Sequence, residues 1–206
     1  MQKKQFIFGF ILVFFLALSS GCTNSELEKK PTISIDSDSD YVTTFKDLNL
    51  GVLYDFDFKL PNADNSWVNL WVERYNDGKL DSQPLTQLSY GNSPTEMEEG
   101  HLGFGIINPN SEAPLVFLYG PGVRTQPSVI EKESKTIMAS AWDYAIGNED
   151  VELELGETTI LAAYRETESN SFRTVDLQDE EAVKTMIQQN DTVLLLKIKI
   201  EEEPRK

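Results

Sequence analysis

Short stretches in which apolar and polar residues alternate dominate the chain beyond residue 50. In VLYDFDFKL (52–60), Tyr54, Phe56, Phe58 and Leu60 alternate with Asp55, Asp57 and Lys59, the two-residue period of a half-buried strand. SWVNLWVERY (66–75) is a second strand, and in the NDGK that closes it Asp77 and Gly78 supply the positive φ of a tight turn. Further apolar segments lie at 85–90, 101–107, 115–119, 136–142, 151–155 and 159–164, with Gly, Pro and Asn between them. A last strand at 192–201 turns Leu194, Leu196, Ile198 and Ile200 inward and leaves Lys197, Lys199 and Glu201 outside.

One segment has helical spacing instead. In DEEAVKTMIQQ (179–189), Ala182, Val183, Met186 and Ile187 share a face, and the first turn is acidic, as the helix dipole favours. Asn190 offers a left-handed stop. These elements predict a mainly β fold: an antiparallel two-sheet sandwich with one helix near the C-terminus. The stretches IINPNSEAPLVF (106–117) and LELGETTI (153–160) resemble segments of immunoglobulin-like modules of bacterial envelope proteins. That resemblance implies an immunoglobulin-like sandwich and nothing about activity.

The amino terminus follows another rule. Lys3 and Lys4 precede thirteen uncharged residues, FIFGFILVFFLAL (6–18), which as a helix span roughly 20 Å, short of the ~30 Å hydrocarbon core. The run is therefore a processed signal, not a permanent span. Ser19, Ser20 and Gly21 then lead to Cys22, the sole cysteine. The arrangement resembles the lipobox of bacterial lipoproteins, with Ser20, Gly21 and Cys22 in the small, glycine and cysteine positions and Ser19 where that family usually carries Leu. The resemblance implies cleavage before Cys22 and lipid attachment to it, with anchoring by two or more acyl chains. The expected organisation is a cleaved signal peptide at 1–21, a lipidated acidic tether at 22–40, and one sandwich domain at 41–206.

Charge narrows the partners. Without Lys3 and Lys4 the mature chain carries 16 basic against 34 acidic residues, a formal charge of −18. Such a surface repels phosphate backbones, which speaks against nucleic acid, and it repels anionic headgroups, so attachment rests on the lipid. With Cys22 acylated no thiol remains for disulfides or thiolate chemistry.

Candidate chemistry is sparse. DSDSD (36–40) places acids at positions 1, 3 and 5 of a calcium loop, but Tyr41 and Asp47 stand where that loop needs Gly and Glu. The single histidine, His101, starts a strand and reads as a strand-edge residue; it cannot by itself supply the nitrogen and sulfur ligands of a zinc site. No cofactor or metal is expected. Glu96, Glu98 and Glu99 form the densest set of acids near it. The clearest constellation is Trp67, Trp71 and Tyr75 on one face of a strand whose other face is Val68, Leu70 and Val72. With the aliphatic face inward, those rings form a platform for a sugar or a protein. The sequence therefore points to a lipid-anchored, extracytoplasmic protein at the cell membrane that binds an envelope protein or glycan and catalyses nothing. The alternative is a cell-wall glycan-processing enzyme using paired carboxylates.

Overall fold

A computed structural model describes residues 29–131 and 136–202. The signal segment, Cys22 and the beginning of the expected tether lie outside the described residues. Strands are numbered along the chain. One sheet runs in the order β11 (Val151–Glu152), β1 (Thr32–Ile35), β2 (Gly51–Pro61), β6 (Met97–Ile107), β7 (Leu115–Gly120) and β8 (Val123–Arg124), with β9 (Ser128–Val129) also on β7. The other runs β10 (Ala139–Tyr144), β12 (Thr158–Thr167), β13 (Thr192–Glu202), β3 (Ser66–Asn76) and β4 (Lys79–Leu80), with β5 (Thr86–Gly91) also on β3. Every pairing is antiparallel. The mainly β, two-sheet architecture read from the alternation is the architecture observed.

The inner faces form one core. Tyr54, Phe56, Phe58 and Leu60 of β2 and Leu102, Phe104 and Ile106 of β6 meet Val68, Leu70 and Val72 of β3 and the inward leucines of β13. Burial of apolar area at ~25 cal/mol per Å² holds the layers together. The Tyr54 hydroxyl donates across the core to the Ala163 carbonyl at 2.7 Å, so its one polar atom is satisfied. The turn after β3 has Asp77 at φ 48° and Gly78 at φ 75°, the left-handed pair that NDGK announces.

Three features depart from the sequence reading. The tether ends sooner: Thr32–Ile35 is a strand between β2 and β11, and Ile33 is fully buried. Next, DSDSD is no calcium loop but the entry to an unexpected helix, α1 (Asp40–Asp47), whose N-cap Ser39 accepts from the Val42 amide at 3.1 Å. Val42, Thr43 and Thr44 are β-branched and poor helix formers; packing on β2 overrides that preference, with Val42 buried.

Last, the expected helix, α2 (Glu180–Gln189), forms on the outer face of the second sheet but does not end as expected. Val183 and Met186 pack there on Ala163, Val193 and Leu195. The unbroken VLLL of β13 is apolar on both sides, so its outer side needs that cover. Asn190 ends α2 in an extended conformation, not a left-handed one.

Candidate functional site

The outer face of the first sheet carries charge where a covered sheet face is normally apolar. Register brings it together. The Asp36 amide donates to the Asp55 carbonyl at 3.0 Å, continuing the β1–β2 ladder and setting Asp36 beside Asp55. On the next strand His101 lies opposite Asp57, one diagonal step from Asp55. Their side chains converge: His101 Nδ1 is 3.0 Å from Asp55 Oδ2 and 3.9 Å from Asp36 Oδ2. The side chain of Asp55 is 0% exposed, those of Asp36 and His101 29% and 36%. His101 is thus an interior position of β6, where the sequence suggested an edge.

Glycines make room for what surrounds the cluster. Gly103 and Gly105 face outward on β6, where a Cβ on Gly103 would collide with the Tyr54 carbonyl and the Tyr119 ring, and one on Gly105 with the Phe117 ring. Tyr119 and Phe117 of β7 therefore lie flat across β6. From there the Tyr119 hydroxyl donates to Asp55 Oδ1 at 2.8 Å, and the Phe56 amide donates to the same oxygen at 3.1 Å. Helix α1 roofs the arrangement: the Tyr41 ring lies 4.8 Å from the His101 ring, tilted 56° to it, and one turn later Phe45 lies 6.0 Å from Phe117.

One oxygen is left over. Asp55 Oδ2 and His101 Nδ1, though 3.0 Å apart, are not aligned as a hydrogen bond, and neither has another hydrogen-bond partner. Burial drives the Asp55 carboxyl above the usual carboxylate range, against the opposing pull of the Ser39 and Tyr119 hydroxyls and of His101. Burial likewise pushes the Tyr119 phenol far up, and the neighbouring Asp55 charge adds to it, so Tyr119 stays a donor at neutral pH. A buried acceptor without a partner costs about 1–3 kcal/mol, more when charged. Of the cluster, His101 lines a groove of about 660 Å³ along α1, β7 and β8, together with Tyr41, Phe45, Phe117, Tyr119 and Arg124. Its size and aromatic lining are those of a small-molecule site.

The aromatic face read from the sequence also faces outward, on the second sheet. Val68, Leu70 and Val72 are fully buried, while Trp67, Trp71 and Tyr75 are half-buried. Their polar atoms are engaged: Trp71 Nε1 donates to Glu73 Oε1 at 3.2 Å and the Tyr75 hydroxyl to Glu73 Oε2 at 2.7 Å. Trp67 lies against Gly91, and Tyr75 packs against the cluster beneath α2. Glu98 and Glu99 point to opposite faces of β6 and so do not face one another across a cleft. Asp36 was weighed in the sequence only as part of a calcium loop and Tyr41 only as a residue that breaks it, and Asp55 and Tyr119 were not singled out as site residues. The signal that could have found them is the alternation of glycines in HLGFGII, which marks a strand face that something crosses.

Among the described residues no helix is long and apolar enough to cross a membrane. Neither a curated protein nor a solved structure matches the chain. A domain family does, from the start of β2 to the inner end of β13, so Asp55, His101, Gly103 and Tyr119 fall inside the match while Asp36 and α1 precede it. Over residues 52–200 the sequence matches the YgaN domain, and the chain belongs to that family.

Proposed function

We propose that this YgaN-domain protein is a lipid-anchored binding protein on the extracytoplasmic face of the cell membrane, holding its ligand in the groove beneath α1. The lipobox-like LSSGCTN (18–24) supports the anchor, and the two-sheet fold accords with the resemblance to immunoglobulin-like envelope modules. The observation that carries the reading is the groove itself. Four aromatic rings and His101 line an open cleft, and His101 and Tyr119 in its wall both reach a fully buried carboxylate, Asp55, that has an unpartnered oxygen. A ligand with a flat or apolar body and a cationic or hydrogen-bond-donating end fits both features. The groove is favoured over the Trp67, Trp71 and Tyr75 face because Glu73 already occupies the donors there.

Two measurements test the reading. Cys22→Ser should release the protein from membranes or leave it unprocessed; a mature chain whose Cys22 is unmodified by mass spectrometry removes the anchor. Tyr41 is 51% exposed, so Tyr41→Ala should fold normally. On glycan arrays and in pull-downs of envelope proteins it should lose what the wild type captures. Capture that survives Tyr41→Ala and is lost in Trp71→Ala would move the site to the other sheet.

A further inference from the structure

Asp36, Asp55 and His101 present two carboxylate oxygens and one imidazole nitrogen that all lie within 4.8 Å of one another. For ligand bonds of about 2.1 Å, neighbouring ligand atoms in tetrahedral or octahedral sites stand roughly 3–3.5 Å apart. The contacts of 3.0 and 3.9 Å to Nδ1 bracket that range. Asp36 follows the last residue of β1 and is partly exposed, so it can close the remaining gap.

We propose that these three residues form a site for one divalent ion of the zinc class, with its open coordination positions facing the groove. The observation that separates this from a chance acidic cluster is the buried side chain of Asp55. Its Oδ2 is aimed at His101 Nδ1 at 3.0 Å, yet the two atoms form no hydrogen bond. Two atoms that both bind a third stand side by side in this way, each aimed at the shared ion.

The rest of the shell suits the role. The Tyr119 hydroxyl and the Phe56 amide hold Oδ1, which fixes the carboxylate and leaves Oδ2 to bind, as groups behind metal ligands do. Tyr41 packs against the imidazole and limits its rotation. Two carboxylates neutralise a divalent charge, and the acidic surface of the chain concentrates cations around it. The imidazole selects against calcium and magnesium, which prefer oxygen throughout, and the three residues include no thiolate to draw softer ions. The ion's part in ligand capture rests on the groove reading above, whereas its binding does not.

The test uses the full-length chain in detergent, stripped with a chelator, dialysed and titrated with zinc chloride in a calorimeter. We expect one equivalent to bind with micromolar or tighter affinity, without displacement by excess calcium. His101→Gln and Asp36→Asn alter partly exposed side chains and should melt near the wild type, yet each should weaken binding at least about tenfold. Tyr119→Phe, which touches no ion, should weaken it by about tenfold. His101 is the only histidine, so its imidazole nitrogen resonances report this site alone, and zinc should shift Nδ1. No saturable binding, equal affinity in the His101 and Asp36 variants, or unshifted imidazole resonances would each overturn the proposal. The last two would assign any uptake to scattered carboxylates and leave Asp55 and His101 as a simple ion pair. Ligand capture that persists without zinc binding would refute the ion and spare the groove; zinc binding without capture would do the reverse.

Discussion

Glu73 on β3 and Asp55 on β2 occupy corresponding places: each faces outward from its sheet, beside aromatic rings, with a helix packed on the same outer face. Their surroundings differ. Glu73 takes hydrogen bonds from Trp71, Tyr75 and the Lys197 ammonium, the last at 2.8 Å. Although burial alone would raise its pKa, Lys197, Tyr75 and Trp71 together hold the carboxyl below the usual range. Asp55 has Tyr119 and one amide on one oxygen and nothing aligned on the other, and burial wins, so its carboxyl shifts upward. The opposite shifts separate a carboxylate that contributes to the fold from one the fold leaves incomplete. An incomplete buried acid persists where something else completes it.

The largest expected effect comes from breaking the geometry that positions Tyr119. Gly103→Val puts side-chain atoms where the Tyr54 carbonyl and the Tyr119 ring now lie. We expect a loss of about 3 kcal/mol or more, the range of severe overpacking, read by urea unfolding. A valine placed on the other sheet is milder, since Ser89→Val on β5 removes only an exposed hydrogen bond from the Ser89 hydroxyl to Asn69 Oδ1. Equal losses for the two substitutions would mean that the rings crossing β6 are not held by that close approach.

A smaller effect separates the two acids by pH. The folded-state pKa of Glu73 lies below the 4.5 of an unfolded glutamate, so its contribution to stability is present above pH 4.5 and is lost as pH falls through the lower folded value. Glu73→Gln should therefore cost about 1 kcal/mol at pH 7, discounted for partial exposure, and close to nothing at pH 3. Denaturant titrations at the two pH values check this; a cost that is the same at both would show that the ion pair with Lys197 contributes no charge term.

Much of the fold was legible because period-2 alternation needs no tertiary information. The strand read at 52–60 spans Gly51–Pro61, and the one read at 192–201 spans Thr192–Glu202. What escaped was decided by docking. TISI is too short to show a period, and DYVTTFKD is helical against its β-branched residues because β2 offers a surface to cover. The candidate site escaped for a different reason. Asp36, Asp55 and His101 are separated in sequence and meet only through the registers of β1 with β2 and of β2 with β6. The aromatic face of β3 was legible as a face, yet its occupation by Lys197, 124 residues from Glu73, was not.

The smallest effect concerns the two helices that cover these faces. Each begins on a side-chain cap: Ser39 accepts from the Val42 amide, and Asp179 accepts from the Glu181 and Ala182 amides at 2.9 and 3.2 Å. Loss of such a cap costs about 0.5–2 kcal/mol. Helix α2 buries Val183 and Met186 in a cluster with two strands, while α1 spans only eight residues and buries Val42 alone. Asp179→Ala should therefore lower the global unfolding free energy by about 1 kcal/mol. Ser39→Ala should instead act locally, because opening an eight-residue roof exposes little of the core. Hydrogen exchange at amides 42–47 should quicken severalfold with the unfolding midpoint shifted by less than in Asp179→Ala, and the Tyr41 contact with His101 should loosen. A Ser39→Ala midpoint shift as large as that of Asp179→Ala would show that α1 is part of the cooperative core, and the groove beneath it a fixed cleft rather than one able to open.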